Sequence, residues 1–108
     1  MEYLFTYGTL QDPQVQRYVF GRILEGHPDI LPQFRHFKNV VYKRYDLVRP
    51  SEKKTDFVEG MAYALTKEEL LSCDVYETSA YIRKVVVLKS GIKAWVYINN
   101  PRNGRSNQ

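Results

Sequence analysis

The chain has 108 residues, 44% of them apolar, with a formal net charge of +4. That length suits one domain with a real core but not two, and the apolar share excludes a disordered chain. No apolar run resembles a signal peptide or reaches the length of a membrane span, and the single cysteine, Cys73, cannot form an internal disulfide. A cytoplasmic protein with no membrane association is therefore expected. The basic residues from Arg35 to Lys54 are scattered among acids, which speaks against a dedicated nucleic-acid surface.

In chain order, Tyr3 to Tyr7 reads as a buried strand, short and aromatic. Tyr7-Gly8-Thr9-Leu10 follows it, and Asp12-Pro13 then supplies an N-cap and a proline for the first helical position. Val15, Tyr18, Val19 and Arg22 recur at helical spacing, with Gly21 or Gly26 closing the helix. His27-Pro28-Asp29 reads as a loop. Ile30 to Tyr45 reads as two short strands with a turn near Lys38-Asn39, and the polar stretch Ser51 to Thr55 as a disordered loop. Phe57 to Leu65 reads as a strand, where Gly60 signals a bulge or a close backbone approach. Thr66 and Glu69 form a capping box before a helix from Lys67 to about Tyr76. Tyr81 to Leu88 and Ile92 to Ile98 are paired strands around Ser90-Gly91. The predicted fold is α+β: one small mixed domain over residues 1–99, with two main helices on a largely antiparallel sheet, curled or closed into a β-barrel, and a polar tail over 100–108.

Two segments can carry chemistry. A glycine between a strand and a helix leaves N–H groups unhindered, so the Tyr7–Leu10 segment can hold an anion such as a carboxylate; it can also be an ordinary turn. About seventy residues later, Glu77 stands where a helix gives way to the terminal hairpin. If desolvated among tyrosines, its carboxyl becomes a usable proton shuttle; if exposed, it is a surface acid pairing with Arg83 or Lys84. Tyr81 and Arg83 share a strand face, and Arg83 can hold a substrate carboxylate or form a structural ion pair with Asp74 or Glu77. His27, His36 and a lone cysteine offer no metal-ligand pattern, and no dinucleotide or phosphate-binding glycine loop is present. Cys73, in a helical pattern, reads as a small buried hydrophobe.

Taken together, these segments resemble the gamma-glutamylcyclotransferase-like superfamily, in its AIG2-like and gamma-glutamylamine cyclotransferase branch. Tyr7-Gly8-Thr9-Leu10 resembles its Tyr-Gly-Ser/Thr-Leu signature. Asp74-x-x-Glu77 followed by Tyr81-x-Arg83 resembles its second signature. The resemblance spans roughly residues 3–98 and implies a cavity between the glycine loop and the glutamate. It implies an enzyme that releases 5-oxoproline from a γ-glutamyl amine or related small molecule without a cofactor or metal. Glu77 matches the general acid/base, and Tyr7, Gly8, Thr9 and Leu10 match the substrate loop, with Tyr81 and Arg83 as further substrate contacts. A silent binding module of the same fold, holding a small carboxylate-bearing ligand without turnover, is the alternative. Thr78-Ser79 stands where the family commonly places a glycine after the glutamate, and Gln11 where it often places a basic residue. These departures bear on the substrate rather than the fold.

Overall fold

A computed structural model describes residues 1–41 and 45–100. Seven strands and two helices follow in the order β1 (Glu2–Thr6), α1 (Pro13–Phe20), β2 (Gly26–Pro32), β3 (Phe34–Val41), β4 (Tyr45–Pro50), β5 (Phe57–Leu65), α2 (Lys67–Glu77), β6 (Tyr81–Val87) and β7 (Lys93–Asn99). Single 3-10 turns at Thr9–Gln11 and Thr78–Ala80 follow β1 and α2. The polar tail expected at the C-terminus lies, from residue 101 on, outside the described residues.

Five strands form one sheet in the order β2-β5-β1-β7-β6, antiparallel except for the β1–β7 pair. β3 and β4 form a separate two-stranded sheet. Of the two shapes expected, the curled sheet is the one present; among the described residues no closed barrel forms. The β3–β4 pair is not hydrogen-bonded into the gap between the edge strands β2 and β6. The curl nevertheless brings the segment after β6 against β2. The Lys89 N–H donates to the Ile30 carbonyl (2.9 Å), and the Ser90 hydroxyl donates to Asp29 (2.6 Å).

The central strand β1 divides the core. Leu4 faces both helices with Leu10, Leu24, Leu70 and Cys73, whereas Phe5 faces the other way with Leu31, Phe34, Val48 and Val58. Alternate residues of a strand point to opposite faces, so Leu4 and Phe5 seed two apolar layers, each contributing about 1.5–3 kcal/mol by burial. Gly60 lies where β5 passes the end of β1: a Cβ there would meet the Thr6 carbonyl and come within 2.7 Å of the Phe5 ring. Pairing runs in register through it, so the close approach, not a bulge, requires the glycine.

The helix ends follow their sequence signals. The Asp12 carboxylate accepts from the Gln14 N–H (2.8 Å), and Gly21 closes α1 at φ +74°. Thr66 and Glu69 close the capping box of α2. Glu69 also takes two hydrogen bonds from Arg22 (2.7 and 2.9 Å), which, with its cap, hold its carboxyl down at about 2 and tie α1 to α2.

Three expectations are corrected. His27-Pro28-Asp29 is not a loop but part of β2, an edge strand whose open side tolerates a proline. The turn expected near Lys38-Asn39 lies instead at Gln33 (φ +58°), and β3 runs on to Val41 with a register irregularity after Phe37. The Ser51–Thr55 loop is tied down rather than disordered. Ser51 donates its N–H to the Gln33 carbonyl (2.7 Å) and its hydroxyl to Asp56 (2.5 Å).

Candidate active site

The strand-to-helix connection after β1 folds into a short 3-10 turn because Gln11 and Asp12 return their N–H groups to Gly8 and Thr9 (3.2 and 2.9 Å). The first N–H groups of such a turn have no carbonyl within it to bind. Gly8 has a negative φ, and a Cβ at this position would meet nothing within 4 Å. The glycine is thus not demanded by backbone strain or close packing; its missing side chain leaves open space beside the N–H groups.

Three anchors hold this segment. The Tyr7 hydroxyl donates to the Tyr97 carbonyl on β7 (2.8 Å). The Thr9 hydroxyl meets the Tyr76 hydroxyl on α2 at 3.1 Å. Gln16, which is 2% exposed, donates its amide to the Leu10 carbonyl and accepts from the Leu24 N–H, both at 2.9 Å.

The segment forms one wall of a cavity of about 490 Å³, and Glu77, Tyr81, Asp46 and Tyr97 form much of the rest. The structure therefore brings Tyr7, Gly8, Thr9, Leu10, Glu77 and Tyr81 around one space. Glu77 is half-buried, and burial pushes its carboxyl up to about 7. Tyr7 is held protonated above its ordinary range, first by burial and then by Tyr81, Glu77 and Asp46 nearby. The Tyr81 hydroxyl donates to the backbone carbonyl of Asp46 (2.8 Å), fixing β4 against the cavity.

Arg83 is not brought to the cavity. Its register on β6 opposite Tyr97 turns it toward α2, where it grips Asp74 through two hydrogen bonds (2.7 and 3.0 Å). Its guanidinium also lies over the Trp95 ring at 4.3 Å. Of its two readings, the structural ion pair is the one formed. Burial works to raise the Asp74 carboxyl, but the bonds from Arg83 and Tyr97 outweigh it and hold it below its ordinary range. Cys73 is fully buried, and that burial lifts its thiol to about 12, in keeping with a packing residue.

Thr78 immediately follows Glu77 and takes φ +61°, ψ −169°, a region confined almost entirely to glycine. Its N–H bonds the carbonyls of Asp74 and Val75 and closes α2, while its side chain is exposed.

Sequence reasoning missed Asp46, Tyr97 and Gln16 as parts of this region. Asp46 sits in no motif, Tyr97 reads as an ordinary strand aromatic, and only burial distinguishes Gln16 from a surface helix residue. Among the described residues no group of three or more potential ligands could hold a metal ion, and no helix is long and apolar enough to cross a membrane.

The family model for "Gamma-glutamyl cyclotransferase, AIG2-like" matches residues 4–108. The chain belongs to this family. No curated protein matches it. Among solved structures, one Arabidopsis thaliana protein studied in solution shares 25% identity at a TM-score of 0.78, covering 94% of this chain and 70% of its own. A second Arabidopsis thaliana protein shares 21% at 0.80, covering 94% of this chain and 64% of its own. A protein described as a gamma-glutamyl cyclotransferase shares 16% at 0.68, covering 91% of this chain and 66% of its own. The last two likenesses speak to the fold alone, and the match spans about two thirds of the length of these structures.

Proposed function

We propose that this family member is an enzyme releasing 5-oxoproline from a γ-glutamyl amine or a related small substrate, with Glu77 as general acid/base. The observation that supports this most is Glu77 itself: a carboxyl raised by burial to about 7, on the wall of the cavity that the Tyr7–Leu10 turn also lines. A group that gains and loses a proton near neutrality can serve both halves of the reaction.

The substrate's α-amine, in its unprotonated form, attacks its own γ-carbonyl carbon. A new C–N bond closes the five-membered ring as Glu77 removes a proton from the attacking nitrogen. The old amide C–N bond then breaks, and Glu77 returns the proton to the departing amine. Products are 5-oxoproline and the free amine, with no redox change. The N–H groups of the Gly8 turn would hold the substrate carboxylate or the developing oxyanion. Because nucleophile and electrophile belong to one molecule, holding the folded-back conformer supplies much of the acceleration.

Release of 5-oxoproline from a panel of γ-glutamyl amines tests the reading. Wild type should release it, and Glu77→Gln should slow release by about 100-fold or more, the scale of a lost general acid/base. No release from any panel member by wild type would favour a silent binding module; equal rates for both proteins would remove Glu77 from its role.

A further inference from the structure

Resting on the proposed role of Glu77, we propose that Asp74 is a positioning residue: gripped from β6 and β7, it sets where the last turn of α2 presents Glu77 to the cavity. Asp74 and Glu77 stand three positions apart at the end of α2, a spacing that makes their side chains neighbours on one helix face. An acid there opposes the helix dipole, and this last turn holds no basic residue to offset it. The end of α2 therefore draws its hold from the sheet. Glu77 needs that hold. Burial alone raises its carboxyl to about 7, and among the described residues no hydrogen bond fixes the carboxyl itself, so its place depends on its backbone.

Three hydrogen bonds converge on the Asp74 carboxylate. Oδ1 accepts from the Tyr97 hydroxyl (2.6 Å) and from Arg83 Nε (2.7 Å), and Oδ2 accepts from Arg83 Nη2 (3.0 Å). The forked arginine contact fixes direction as well as distance, and the Trp95 ring backs the guanidinium. The Asp74 backbone carbonyl also accepts the Thr78 N–H, so the residue after Glu77 is tied back to the gripped one. A misplacement of about 1 Å at a reacting group can cost on the order of 100-fold in rate, so a grip one turn away bears directly on turnover.

Titration of the Glu77 carboxyl by carbon NMR, in protein labelled at glutamate Cδ, tests this without turnover. Arg83→Lys combined with Tyr97→Phe keeps the charge, the ring and the Tyr97 carbonyl that holds Tyr7, but removes the fork and the hydroxyl. With the grip cut, Glu77 gains water, and its midpoint should fall from about 7 to below about pH 6. Arg22→Lys is the matched control. It cuts the same kind of forked contact at the other end of α2, to Glu69, and should leave the midpoint within about 0.3 of wild type. Where wild type releases 5-oxoproline, the double variant should lower kcat about tenfold or more and leave KM within about threefold, because the substrate turn is untouched. A wild-type midpoint near 4.5, an unchanged midpoint in the double variant, or an equal fall in Arg22→Lys would each overturn the inference. If the double variant does not fold, Tyr97→Phe alone, which removes one oxygen atom, should shift the midpoint the same way, and no shift there counts equally against the inference. Turnover is read separately: a midpoint that falls with the grip, in a protein that releases no 5-oxoproline, would discard the catalytic reading and keep this one.

Discussion

Thr78→Gly should stabilise the protein, against the usual expectation for a glycine substitution. Thr78 occupies φ +61°, ψ −169° directly after Glu77. A β-branched residue there carries strain of about 1–3 kcal/mol, which the surrounding hydrogen bonds must hold. Glycine removes that strain but adds freedom to the unfolded chain, costing about 0.5–1 kcal/mol. The side chain is exposed and its hydroxyl accepts a 3.3 Å bond from Ala80, so little packing is lost. The net gain should be about 0.5–2 kcal/mol, or a rise in Tm on the order of 2–12 °C for a domain of this size. Urea denaturation of wild type, Thr78→Gly and Thr78→Ala measures it. Alanine keeps the Cβ and should not recover the gain. If glycine is no more stable than alanine, or less stable than wild type, the strained conformation is not what Thr78 adopts and the reasoning fails.

Protonation of Glu77 should be visible in stability as well as in rate. Its carboxyl is raised from 4.5 to about 7 in the folded state, so between these pH values the native protein binds more protons than the unfolded chain. Stability is therefore fully present below about pH 4.5 and declines as pH rises through 7, by roughly 3 kcal/mol from this group. Glu77→Gln should lack that decline in urea titrations across pH; an unchanged slope would place Glu77 in solvent. Gln16→Leu keeps the volume but leaves the Leu10 carbonyl and Leu24 N–H without their partner. It should cost about 2–4 kcal/mol in urea denaturation and raise KM for any γ-glutamyl substrate. A loss below about 0.5 kcal/mol would show that the turn does not depend on it.

The features legible in the sequence are those whose physics is local. A capping box needs only Thr66 and Glu69 three positions apart, and Asp12-Pro13 marks a helix start without reference to anything distant. What was not legible depends on partners far along the chain. The turn at Gln33 is enforced by its N–H bonding Asp56 and its carbonyl accepting from Ser51, roughly twenty residues on. Pro28 suggests a break until β2 is known to be an edge strand. Arg83 could have faced a ligand or a helix, and only its register against Tyr97 decides that it meets Asp74. Asp46 reaches the cavity wall because β3 and β4 pair apart from the main sheet, an arrangement that no pattern around residue 46 announces.

The two halves of the site are not independent, because both lean on Tyr97. Its backbone carbonyl accepts the Tyr7 hydroxyl and so fixes the entrance to the glycine turn. Its own hydroxyl donates to Asp74 (2.6 Å), one turn before Glu77 on α2, and Arg83 holds that same carboxylate from β6. The chain continues outward, with Arg83 stacked on Trp95 and the Trp95 ring nitrogen donating to Glu2 (2.8 Å) at the start of β1. These contacts use side-chain groups and the Tyr97 carbonyl, and among the described residues they leave the N–H groups of Thr9 and Leu10 out of the network. In the proposed reading, the turn binds an anion while a nearby carboxyl moves a proton, which calls for this division of labour: positioning from side chains behind the wall, recognition from the backbone in front of it. The Asp74–Arg83 pair, which as a lone surface contact would matter little, contributes here by setting where the last turn of α2, and so Glu77, stands relative to the turn.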